Sequence, residues 1–336
     1  MSWLSDEAIS RLKEASSLPD VSGTRYRLIE RVGSGGMGAV YLAEDSVLER
    51  RVALKILDVP DMLNGAGGVS ERLVREAKIL AQLEHPGIVP VHDAGTLADG
   101  RVFYAMKFVE GKQLDQLVKD MNHPSASGAD LLPDRLRIFQ RICDAVGFAH
   151  ARGVLHRDLK PENIMVGPFS EVLVMDWGVA KILGSTPDEF DAEAGQSPGH
   201  ARTVSPARTA HGTVIGTVGY MSPEQARGEV ENLDARADIF SLGAILTFLL
   251  GGSEPVPREV AAIAQKAMAP QARGRYSSAS DVALDVARYL DGLPVSAYPE
   301  NVFRKGVRWA SRYRVAIVLV LTYLVVRALL ILFSQH

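Results

Sequence analysis

His156-Arg157-Asp158-Leu159-Lys160-Pro161-Glu162-Asn163 sets a carboxylate, an ammonium and an amide within one short run of chain. Asp158 can accept a proton from a hydroxyl, and Lys160 can offset charge on a phosphoryl group in transfer. Asn163 supplies an amide oxygen, a hard ligand suited to Mg²⁺. A little further on, the apolar run Val172–Met175 reads as a strand and delivers Asp176-Trp177-Gly178. A carboxylate at a strand end beside a glycine turn is a second candidate metal ligand.

Upstream stands Gly33-Ser34-Gly35-Gly36-Met37-Gly38-Ala39-Val40. Glycines at these positions let backbone N–H groups approach a polyphosphate without obstruction by Cβ. Alone the pattern also suits a tight hairpin or a dinucleotide loop. Strand-like residues follow it here rather than a helix, which favours a hairpin lid over phosphates. Next comes Val52-Ala53-Leu54-Lys55, a lysine in an apolar strand, with Glu76 on a following helical segment as its natural partner. Paired with Glu76, Lys55 would hold its ammonium toward the α- and β-phosphates. The last stretch is Gly216-Thr217-Val218-Gly219-Tyr220-Met221-Ser222-Pro223-Glu224.

Strand-like runs at Tyr26–Val32, Ala39–Ala43, Val52–Leu57, Val89–Gly95 and Arg101–Phe108 fill the first part of the chain, with a helical pattern at Ser70–Gln82. From Leu114 helices dominate, at Leu114–Lys119, Pro133–Arg152, Ala237–Leu250, Val260–Met268 and Ser280–Leu290. The division predicts an α+β fold with two lobes, β-rich then helical. Residues 1–24 read as a short amphipathic helix and linker. The 336 residues are 47% hydrophobic and 23% charged, with a net charge of −3. These values suit a globular protein and give no reason to expect bulk binding to nucleic acid. The single cysteine, Cys143, lies among apolar residues and reads as a buried thiol.

In this order and spacing, the five stretches resemble the eukaryotic-type protein kinases, and among them the bacterial Ser/Thr kinases. The resemblance covers about residues 26–290. It implies a two-lobed kinase domain at 25–291, with an N-lobe at 25–109 and a C-lobe at 110–291. It also implies ATP as phosphate donor, Mg²⁺ (with Mn²⁺ as an alternative) as cofactor, and Ser/Thr hydroxyls of proteins as acceptors in signal transduction. By the match, Asp158 is the catalytic base, Asn163 and Asp176 hold the metal, and Lys55 and Glu76 form an ion pair. Val40, Ala53 and Met165 would sandwich adenine, Met106 falls at the gatekeeper and Phe108–Val109 at the hinge. Asp238 matches a buried aspartate that steadies the catalytic loop. Lys160, with Thr217 and Tyr220, matches Ser/Thr rather than Tyr specificity. Autophosphorylation, with self-association to allow it, is expected at Thr203, Ser205, Thr209 or Thr213. Trp177 departs from the usual Phe, the stretch from Asp176 to Glu224 is long, and the passage from Leu250 to Val260 is short, where the family normally has a further helix. A kinase-shaped docking module and a small-molecule phosphotransferase are the rival readings.

The C-terminal stretch Val315–Phe333 is apolar except for Thr322, Tyr323 and Arg327. As a helix it would extend about 28 Å, close to the thickness of a bilayer core. Arg304, Lys305, Arg308, Arg312 and Arg314 precede it and only Ser334, Gln335 and His336 follow. The expectation is a single transmembrane helix at 315–333 behind a basic linker at 292–314, with the N-terminal side in the cytoplasm. A buried or surface-lying helix is the alternative.

Overall fold

In the computed structural model, residues 18–35, 38–57, 80–122, 131–177, 218–229, 233–251 and 255–299 are described, as are 318–320, 322–324 and 327. The first lobe is a five-stranded antiparallel sheet in the order β1-β2-β3-β5-β4. Its strands are β1 (Tyr26–Gly35), β2 (Gly38–Asp45), β3 (Arg50–Leu57), β4 (Val91–Thr96) and β5 (Val102–Lys107). Strand side chains alternate between the two faces of a sheet, and here both faces are apolar. Val52, Leu54 and Ile56 join Tyr26, Tyr41 and Phe103 on one face, which Leu18 and Val21 help to cover. Ala53 and Leu57 join Val102, Tyr104 and Met106 on the other. Lys55 shares the second face by the same alternation and so points at the cleft between the lobes.

The expected strands are present, with β1 running on to Gly35, where it pairs with Gly38. Of the expected N-terminal helix and linker only residues 18–24 are described, and they form bends and turns. Of the expected helix at 70–82, only the last turn is described.

The second lobe is built on helices. They are α1 (Leu114–Met121), α2 (Leu132–Ala151), the short α3 (Pro223–Ala226), α4 (Ala235–Leu250), α5 (Arg258–Ala267) and α6 (Ala279–Leu290). A small sheet of β6 (Lys112–Gln113), β7 (Ile164–Val166) and β8 (Val172–Val174) roofs them on the cleft side. α2 buries Leu136, Phe139, Cys143, Val146 and Ala149, a stripe at helical spacing. α4 is buried nearly all round, and α5 and α6 close the core with Val260, Ile263, Val282 and Val286. Packing continues past Asp291: Val295 is buried, and Ser296 is held by both oxygens of Asp285.

The short passage between α4 and α5 has its own structural support. Arg135, buried on α2, donates to the Leu249 carbonyl at 2.7 Å and the Gly251 carbonyl at 2.9 Å. Its remaining terminal nitrogen meets the side chain of Asn122, which donates in turn to Gly251. A guanidinium thus terminates α4, where unpaired carbonyls and the helix dipole both favour a cation. α5 then crosses α4 so closely that a Cβ on Gly243 would lie 2.7 Å from Met268 Cγ and 2.8 Å from Ala267 Cβ. Gly243→Val should therefore overpack this crossing and cost about 2–3 kcal/mol. The test is the denaturant midpoint at unchanged m-value, and a midpoint equal to wild type would contradict the reading.

Candidate active site

The cleft between the lobes collects the sequence-predicted residues. Below the sheet, Val40, Ala53, Met106, Phe108, Val109, Met165 and Met175 form one apolar cluster, which spans the connection from β5 into the second lobe. Behind Met106 the cleft deepens into a small cavity lined by Leu80, Ile88, Val89, Tyr104, Met175 and Trp177. Above it, the β1–β2 hairpin closes through the pair Gly35–Gly38, with Gly33 and Ser34 on the incoming strand. Gly38 has φ +138°, and a Cβ there would sit 2.0 Å from the Ile56 carbonyl oxygen, so the hairpin can approach β3 only with glycine at this position. Gly36, Met37 and Glu76 lie outside the described residues.

Lys55 donates to Asp176 Oδ1 at 2.6 Å, and its register partner across the β3–β5 ladder is Tyr104. Burial works against the ammonium, but the neighbouring Tyr104 oxygen and Asp176 carboxylate outweigh it and raise the Lys55 pKa. Burial likewise pushes the Tyr104 phenol up to about 12, so it stays protonated at neutral pH. Asp176 holds a left-handed backbone, φ +55°, at the end of β8. Trp177 turns inward instead, with its indole N–H donating to the Val174 carbonyl at 3.1 Å and its ring 4.9 Å from that of His156.

Facing Lys55 and Asp176 is the loop that carries Asp158. Its carboxylate accepts from Lys160 Nζ at 3.0 Å. Asn163 gives its Nδ2 to the Asp158 carbonyl at 2.8 Å, which leaves the amide oxygen as the unused donor atom. An amide oxygen here and the Asp176 carboxylate make a hard oxygen set that fits Mg²⁺, an ion that keeps water and phosphate oxygens for its other positions. The loop is fixed from beneath by Asp238 on α4. Its two oxygens accept the His156 and Arg157 N–H groups, both at 2.8 Å, and the His150 ring at 2.7 Å. Burial alone would raise the Asp238 pKa, yet these contacts outweigh it and hold it below the ordinary value. Burial also lowers the His156 pKa, so that ring stays neutral and uses Nε2 on the Met175 carbonyl, 2.8 Å away.

The protein kinase domain family matches residues 26–289. The chain belongs to that family. It is 35% identical over 318 residues to the serine/threonine-protein kinase PknD of Protochlamydia amoebophila, covering 84% of this chain and 32% of that one. PknD of Chlamydia trachomatis is 37% identical over 304 residues, covering 80% and 32%. The chain thus spans about a third of the length of these curated relatives. The kinase domain of Mycobacterium tuberculosis PknI is similar in structure, with a TM-score of 0.55 and 25% identity, and it is covered to 99% by 81% of this chain.

Among the contacts that sequence reading of the kinase domain did not foresee, two involve α3. Arg275, buried before α6, forms two bonds to Glu224, at 2.6 and 2.8 Å. It ties the end of the Gly216–Glu224 stretch to the helical core. Gln225 donates to the Arg157 carbonyl at 2.8 Å. Neither has a local signature, because each partner lies more than fifty residues away. Lys55→Met should leave the domain folded, since methionine can replace the lysine stem, which is the largely buried part of the pair with Asp176. Turnover should fall about a hundredfold or more, the usual loss of one preorganised charge. Full turnover by the variant across an ATP titration would remove Lys55 from the site.

Proposed function

We propose that the protein is an ATP-dependent protein serine/threonine kinase. The observation that carries this reading is that Lys55 of the first lobe meets Asp176 of the second at 2.6 Å, beside the loop of Asp158, Lys160 and Asn163, which bonds to Met175 next to Asp176. The apolar cluster around Ala53, Met106 and Met165 suits a flat adenine ring. From there the triphosphate would extend beneath the glycine hairpin toward Lys55. Mg²⁺ held by Asn163 and Asp176 would neutralise charge on the phosphate oxygens. Asp158 would accept the proton of a Ser or Thr hydroxyl as its oxygen attacks the γ-phosphorus and ADP leaves. Lys160, already on the Asp158 carboxylate, stands where it can offset charge on the group in transfer. The expected autophosphorylation sites, Thr203 to Thr213, lie outside the described residues, as does Thr217.

We further propose that Val315–Phe333 anchors this kinase in a membrane, with the catalytic domain in the cytoplasm. Among the described residues no helix is long and apolar enough to cross a membrane. The parts of the stretch that are described, 318–320, 322–324 and 327, are helical. Val318, Leu319, Val320 and Leu324 are all more than half exposed. Apolar helical residues that find no cover on the kinase domain support a lipid environment, and the basic run from Arg304 to Arg314 supports the orientation.

Purified protein incubated with labelled ATP and Mg²⁺ should phosphorylate a generic protein substrate, and mass spectrometry should find self-modification between Thr203 and Thr213. Asp158→Asn should lower the rate at least about a hundredfold, as for loss of a general base. Equal rates in the two proteins would reject the mechanism. In fractionation, the full chain should resist high salt and alkaline extraction from membranes, whereas a chain ending at Asn301, just past the described residues that pack on α6, should be soluble. Release of the full chain by salt alone would mean peripheral attachment.

A further inference from the structure

We propose that Gln225 is a positioning residue for phosphotransfer, holding the peptide that joins Arg157 to the base Asp158; this rests on the kinase reading above. Gln225 stands third in α3, where Ser222 is the N-cap. The two side chains form a reciprocal capping box: the Ser222 hydroxyl accepts from the Gln225 N–H, and Gln225 Oε1 accepts from the Ser222 N–H at 3.2 Å. Ser222 is itself fully buried. A capping box works with either Glu or Gln at this position, because only the side-chain oxygen is used. The cap therefore leaves the Gln225 amide nitrogen over, and that nitrogen donates to the Arg157 carbonyl at 2.8 Å.

The bond acts on a strained point. Arg157 has φ +64°, a conformation that costs a non-glycine residue about 1–2 kcal/mol and persists only where its surroundings enforce it. Its N–H is enforced by Asp238 Oδ1 and its carbonyl by Gln225. The peptide that carries this carbonyl also carries the Asp158 N–H, which faces His156 Nδ1 at 3.3 Å. Gln225 thus sets the plane from which the Asp158 side chain departs. Its neighbours tie the same segment elsewhere: the Tyr220 carbonyl accepts from Ser241, and Glu224 binds Arg275. Of these contacts only the one from Gln225 reaches the catalytic loop, so the ordering of the segment after Thr217 is felt at the base through this amide.

Gln225→Glu separates the two roles. It keeps the capping oxygen and removes the N–H, setting a carboxylate oxygen against a carbonyl. In the full chain, kcat for a protein substrate should fall about tenfold or more, the scale expected for misplacing a catalytic group. KM for ATP should stay within about twofold, since no nucleotide contact changes. Ser222→Ala should do the reverse, lowering the melting temperature while retaining most of kcat. Gln225→Ala, which loses both the cap and the amide, should combine the two losses. Wild type and Asp158→Asn run beside them. An inactive wild type would remove the kinase reading and this inference with it. An active wild type, with kcat unchanged per folded molecule in Gln225→Glu and Gln225→Ala, would overturn the inference alone.

Discussion

Asp238 is a carboxylate buried in the helical lobe, at 1% exposure. Removing such a charge from water costs several kcal/mol unless donors replace the water. Three do: two backbone N–H groups of the loop before Asp158 and the His150 ring. The dependence is mutual. The carboxylate is tolerable only while the loop lies over it, and the loop keeps its left-handed residue only while the carboxylate grips it. Asp158, Lys160 and the Asn163 amide are all built outward from that grip. Because α4 is buried nearly all round, the anchor cannot drift without disturbing the core.

The fold was legible in the sequence where one pattern holds over a whole element. The apolar run Val52–Leu57, broken only by Lys55, and the stripe along Leu136–Ala149 were of this kind, and both elements are present with small shifts at their ends. The residues of the cleft were legible for a different reason. Asp158, Lys160 and Asn163 fall in a single run, so their chemistry is visible without knowing the fold. What could not be read are bonds between distant side chains. Arg275 looks like any surface arginine until it is seen on Glu224, and His150 looks like one more helical residue until it meets Asp238. The expected partner of Lys55, Glu76, lies outside the described residues; among those described its carboxylate partner is Asp176.

The short passage from α4 to α5 shows how a departure from the family pattern is accommodated. Leu250 to Val260 is short where the family normally has a further helix. In the structure the gap is closed by a buried guanidinium across the end of α4 and by a glycine that lets α5 approach closely. Both devices are single residues, Arg135 and Gly243. Neither is conspicuous in sequence, because its role depends on an element that follows by more than a hundred residues in one case and by about twenty in the other.

The inward placement of Trp177 also has an optical side. The chain holds three tryptophans, Trp3, Trp177 and Trp309, and only Trp177 lies within the folded kinase domain. Its indole is buried beside Asp176 and against the His156 ring. A chain trimmed at both ends would therefore show tryptophan fluorescence from one position, next to the carboxylate that pairs with Lys55. Its emission maximum and lifetime would report on order at that corner of the cleft without any attached dye.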